Sequence, residues 1–145
     1  MSNLYPRSRI LWSLAASGIG TTLSAAGNSG DWAGNGPGDI LPQADFETAV
    51  DLRDIQDVAL FVCVGGITSS PAFQVQLDVY DDAGNLYAQV LKTASLSAAG
   101  SAAPVYAGMH GGAASSYLVL PSWGRVSWTC TGGTVTGTSI LLYGR

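Results

Sequence analysis

The sequence predicts an all-β protein, a single β-sandwich or jelly-roll-like domain with an extended N-terminal arm. Three observations carry that expectation. Apolar residues alternate with polar ones at period two in several short runs. Turn-forming clusters separate those runs at hairpin spacing. No segment combines a helical apolar period with helix caps. About seven short strands in this arrangement read as two packed sheets.

The first part of the chain differs from the rest. Residues 17–38 are rich in Gly, Ala, Ser and Asn, and Asn35-Gly36-Pro37-Gly38 is turn chemistry throughout. Such a stretch offers little apolar surface to offset the entropy of ordering it. Residues 1–45 therefore read as an arm with a long loop, and residues 46–145 as the sandwich. Within the arm, Ile10–Leu14 has the pattern of one strand, which either orders on a neighbouring molecule or adds to its own sandwich.

From Phe46 onward the pattern is β. Val58, Leu60, Val62 and Val64 fall on one face of a strand, with Phe61 and Cys63 on the other. Strands apolar on both faces are usually interior in a sheet. Phe73, Val75, Leu77 and Val79 alternate with Gln74, Gln76 and Asp78, as expected of a half-buried strand. Asp81-Asp82-Ala83-Gly84-Asn85 reads as a hairpin turn, followed by a returning strand over Leu86–Thr93. Residues 98–116 are Gly/Ala/Ser-rich and read as a second loop. Tyr117–Leu120 reads as a short strand. Val126, Trp128 and Cys130 point inward from the next strand, and Ser139–Tyr143 reads as the last.

Composition narrows the function. The 145 residues suit one domain with a sizeable core. Only 11% are charged, about half the usual share, so much of the surface is neutral and suited to contact with a partner. The net charge is −4 and the arginines are scattered, whereas phosphate binding needs clustered cations. No nucleic-acid role is expected. No apolar run approaches the length of a membrane span. Ile10–Ala16 follows two arginines but is too short and too soon interrupted by glycine for a signal peptide.

The residue types that carry catalysis are sparse. His110 is the single histidine and lies in a glycine-rich loop, Gly108-Met109-His110-Gly111-Gly112, without a rigid partner. No metal site is expected, since a zinc site needs four ligands. Asp78, Asp81, Asp82 and Asn85 have oxygen ligands of the kind calcium takes, but their spacing departs from the known calcium loop, and a polar hairpin tip is the plainer reading. Cys63 and Cys130 each precede Gly-Gly; buried free thiols are the plainer reading for them, with a bridge as the alternative. No enzyme activity and no cofactor are expected.

Contact residues are sought in the arm. Arg7 and Arg9 are the only charges before Asp31, so this end is locally basic. Tyr5, Arg7, Arg9, Trp12 and Trp32 are the candidate partner-binding residues, because large aromatic anchors offset the ordering of a flexible segment. Trp128 reads as core. Trp32 and Trp123 also keep a carbohydrate-binding reading open, since exposed tryptophans stack on sugars.

The order of elements has a counterpart. Ala49-Val50-Asp51-Leu52-Arg53, the strand at Val58–Val64, then Thr68-Ser69-Ser70-Pro71 leading into Ala72–Asp78 and an acidic-Gly turn form one half. Trp123–Thr134, closing in an apolar strand, forms the other. Over about residues 46–145 this resembles small β-sandwich head proteins of tailed bacteriophages, among them capsid decoration proteins. Asp81–Asn85 departs from it, standing where such proteins often carry a longer glycine-rich turn. The resemblance implies no catalytic residues. It implies a structural virion protein, made in the host cytoplasm, that binds the outer surface of the assembled capsid and stabilises it. The implied partners are the major capsid protein and further copies of the chain, a trimer being the expected assembly. A tail or head–tail connector subunit, and a carbohydrate-binding module or adhesin, are the alternatives.

Overall fold

The computed structural model describes residues 8–14, 20–29, 49–108 and 120–145, without the side chains of 86–89, 101–104 and 106–108. Among these residues there is no helix, and 65% lie in strands forming two antiparallel sheets, an all-β sandwich. The strands are β1 (Arg9–Leu14), β2 (Thr21–Leu23), β3 (Gly27–Asn28), β4 (Val50–Asp51), β5 (Asp57–Val64), β6 (Gly66–Thr68), β7 (Ala72–Tyr80), β8 (Leu86–Lys92), β9 (Gly100–Gly108), β10 (Trp123–Thr131) and β11 (Thr134–Gly144).

The six-stranded sheet runs β1-β11-β5-β9, with β2 and β6 also paired to β11. The five-stranded sheet runs β3-β10-β7-β8, with β4 also on β10. The core lies between them. Val58, Leu60, Val62, Val64, Ile140 and Leu142 reach in from one sheet, and Phe73, Val75, Leu77, Val79 and Val126 from the other. The period-two pattern decides this: a one-residue slip would turn each apolar row out to water. The inner rows of β7 and β10 are held in register by an unbroken ladder from Trp123↔Tyr80 to Thr131↔Ala72.

Strand β11 is long enough to serve as a spine. Its C-terminal part pairs with β1 and β5, and its N-terminal part with β2 and β6. Between the two parts Gly137 adopts φ +57°, and a Cβ on Gly20 would lie 2.0 Å from the Gly137 carbonyl carbon. Gly20 therefore has no room for a side chain, and the left-handed φ at Gly137 favours glycine there.

Three sequence readings change. Composition makes residues 1–45 an arm, whereas β1, β2 and β3 pair with β11 and β10. Of the two readings of Ile10–Leu14, addition of a strand to its own sandwich describes the structure. The reason is local: Leu11, Trp12 and Leu14 pack against the core, and β11 supplies backbone partners that the glycine-rich surroundings do not. A bulge between Ile10 and Trp12 makes Leu11 the extra residue, which lets Leu11 and Trp12 both face inward. Second, the expected loop at 98–116 contains β9, joined to β5 by a ladder from Asp57↔Gly108 to Val64↔Gly100. Small residues have weak strand preference alone, but pairing beside an apolar strand overrides it. Third, Leu120, read as the end of a strand, is not in one. Residues 117–119, Tyr5, Arg7, Trp32 and His110 lie outside the described residues.

Candidate functional site

The outer face of the six-stranded sheet carries the strongest functional feature. The pleat that sends Val58, Leu60 and Val62 inward sends Ala59, Phe61 and Cys63 outward. The register aligns these across β11 and β1. One row is Ser13, Leu141 and Phe61, the next Ile10, Tyr143 and Ala59, and a third Ser139 and Cys63. Phe61 and Tyr143 meet edge to face, with ring centroids 5.4 Å apart at 79°, the arrangement the ring quadrupoles favour. Ile10 is 49% and Phe61 38% exposed, the exposed large apolar side chains of the described residues. No charged side chain interrupts the three rows. At the end of the same strands, Arg145 Nε donates to Asp57 Oδ2 at 2.9 Å. Strand β5 is interior by pairing, as its two apolar faces suggested, but its second face opens outward rather than into a second core.

The outer face of the other sheet is polar, and its Asp78, Arg125 and Tyr80 are buried. Asp78 on β7 stands directly opposite Arg125 on β10. The Asp78 carboxylate accepts from Gln76 Nε2 at 2.9 Å, Ser127 Oγ at 2.8 Å and Arg125 Nη2 at 3.3 Å. The Arg125 guanidinium lies 5.6 Å from the centre of the Tyr80 ring, and Tyr80 is fully buried. Sequence reasoning grouped Asp78 with the turn acids. The structure instead commits Asp78 to this cluster, while Asp81 accepts from the backbone N–H groups of Ala83 and Asn85 and from Asn85 Nδ2. No group of three or more His, Cys, Asp or Glu side chains that would hold a metal occurs among the described residues. The importance of Arg125 was not legible in sequence, since only the β7–β10 register sets it against Asp78.

The predicted contact residues separate. Arg9 is exposed at the start of β1. Trp12 is half-buried and stacks on Trp128 across the sandwich, at 6.4 Å and 26°. Trp123 has the Arg53 guanidinium 4.6 Å from its ring centre, and Arg53 is itself held by Asp51 through Nε at 3.0 Å and Nη2 at 2.8 Å. The Arg53 side-chain hydrogen bonds hold the Asp51 carboxyl below its ordinary range, aided by the Arg53 backbone N–H and the charges of Arg53 and Arg9. One face of Trp123 is thus taken by a guanidinium rather than open for a sugar ring. Cys63 and Cys130 are both free thiols, the first exposed and the second buried.

No protein-family model, curated protein or solved structure matches the chain.

Proposed function

We propose that this protein is a non-enzymatic structural component of a bacteriophage virion, a capsid decoration or cement protein on the outer surface of the assembled shell. One observation supports this most: a sandwich whose six-stranded sheet turns outward three rows free of charged side chains, with Phe61, Tyr143 and Ile10, bounded at one end by the Asp57–Arg145 pair. Contiguous exposed apolar surface marks contact with other macromolecules. A rigid sheet holding such a face suits a protein that adds contact area to an assembly and binds only its assembled state. The acidic balance of the chain, −4 overall, fits a position away from packaged DNA. The resemblance of residues 46–145 to phage head proteins points the same way. The protein is made in the host cytoplasm on this reading, with the major capsid protein as its partner.

The test is co-sedimentation with purified expanded capsids. Saturable binding at a stoichiometry set by the shell lattice, together with a raised capsid melting temperature, is the expected result. Absence of binding to expanded shells overturns the proposal. Closed rings of the free protein in electron micrographs would point to a tail or connector subunit instead.

A further inference from the structure

We infer that one corner of the six-stranded sheet, made of β2, β6 and residues 134–136 of β11, is a flap. It opens about a crease of glycines while the rest of the sandwich stays folded, and its opening uncovers the Cys130 thiol.

The crease comes first. The three chain segments that reach this corner each carry a glycine at its border. Gly65 separates β5, ending at Val64, from β6, starting at Gly66. Gly137 turns β11 with φ +57°, and Gly20 precedes β2. The three lie together: a Cβ on Gly137 would sit 3.3 Å from the Gly65 Cα, and one on Gly20 would collide with the Gly137 Cα. The ladder also breaks here, since the pairing of β11 with β2 slips between Val135 and Thr138. Backbone rotation is easiest at glycine, so bending of the sheet concentrates on this line.

The corner is also the weaker part. Strands β2 and β6 have three residues each, with Thr22 and Thr68 exposed. Its apolar share is Val135, fully buried, with Leu23 and Ile67 only partly so. Beyond the crease, β5 and β11 bury Val58, Leu60, Val62, Val64, Ile140 and Leu142. Local opening favours elements with few buried apolar contacts and short ladders. Thr138, paired to Thr21 of β2, adds a second and independent cause. It is fully buried, and its hydroxyl has no hydrogen-bond partner among the described residues. A buried hydroxyl left so is costly, and lifting β2 lets water supply the bond.

What the flap covers is specific. Cys130 is buried on β10, in the other sheet, and its Sγ lies 3.5 Å from the carbonyl oxygens of Leu23 in β2 and of Gly133 in the β10–β11 turn. The ladder of β10 with β7 does not pass through the corner. Opening therefore exposes the thiol in a chain that is otherwise folded.

Thiol labelling of the free protein, at urea concentrations below the unfolding midpoint, tests this. Cys63, being exposed, is blocked first in the native state. Labelling of Cys130 is then expected to rise with urea at less than about half the slope of global unfolding, because the slope follows the surface exposed. Hydrogen exchange read by mass spectrometry is expected to show residues 21–23, 66–68 and 134–136 exchanging together, ahead of 58–64 and 139–144. Thr138→Val keeps the shape and removes the hydroxyl, and is expected to slow Cys130 labelling about threefold or more. Cys130 labelling with the full urea dependence of global unfolding overturns the inference. So does exchange of the three corner segments no earlier than 58–64, or a Cys130 rate indifferent to Thr138→Val. The free protein is the sample throughout, so each of these results leaves the capsid reading standing.

Discussion

Asp78 and Arg125 face each other across β7 and β10 on the outer side of the five-stranded sheet, and both side chains are buried, 2% and 7% exposed. A charge pair in such a place is held less by its attraction than by the cost of separating it. Arg125→Leu is therefore expected to destabilise the fold by about 3 kcal/mol, because it leaves the buried Asp78 carboxyl without the guanidinium it faces. Asp78→Leu combined with Arg125→Leu is expected to cost less than the sum of the single changes. Urea unfolding of the three variants measures this coupling.

Trp128 stands opposite Gly27 in the β3–β10 ladder, and a Cβ on Gly27 would lie 2.5 Å from its ring. Gly27→Ala is expected to push the indole off its stack with Trp12 at a cost of about 1–3 kcal/mol, the usual range for overpacking. A shift in tryptophan emission together with a lower urea midpoint would report it. A midpoint unchanged from wild type would show that the ring moves freely.

The stack also makes Trp12 a stability residue. Trp12→Ala is expected to cost about 2 kcal/mol, below the 3–5 kcal/mol of a fully buried tryptophan because Trp12 is only half-buried. Deleting residues 1–14 removes Leu11 and Leu14 as well and uncovers the β11 edge, so a larger loss is expected. Thermal unfolding compares the two; a truncated chain as stable as wild type would show that β1 contributes nothing.

Asp51 gives an acid signature. Its folded pKa is depressed from 3.8, chiefly by Arg53. A depressed carboxyl contributes stability that is present above its unfolded pKa and lost as pH falls through the lower folded value. The effect is small, since the pair is half exposed, at 59% and 50%. Asp51→Asn is expected to lower the urea midpoint at pH 6 and to converge with wild type below pH 3.8. A constant difference across that range would assign the effect to something other than charge.

The two thiols differ in access. With Cys63 exposed and Cys130 buried, one thiol per chain is expected to react with a chromogenic disulfide in the native state. The second reacts only in denaturant. Two fast thiols would place Cys130 outside the core.

The sequence by itself determined the class and the inner face of the fold. The alternation at Phe73–Val79 and Val58–Val64 settles which residues face the core, because a side-chain period of two leaves one consistent choice. The hairpin at Asp81–Asn85 was legible too, since turn chemistry is local. Only the tertiary structure decided the rest. Strands β1 and β9 exist because β11 and β5 offer them backbone partners, which no composition window reports. The join of Asp78 to Arg125 depends on a register between strands 47 residues apart. The apolar outer rows of Phe61, Leu141, Tyr143 and Ile10 look like scattered hydrophobes in the chain. They become one surface only when three strands distant in sequence lie side by side, since hydrogen-bond pairing, and not sequence spacing, sets which side chains are neighbours across a sheet.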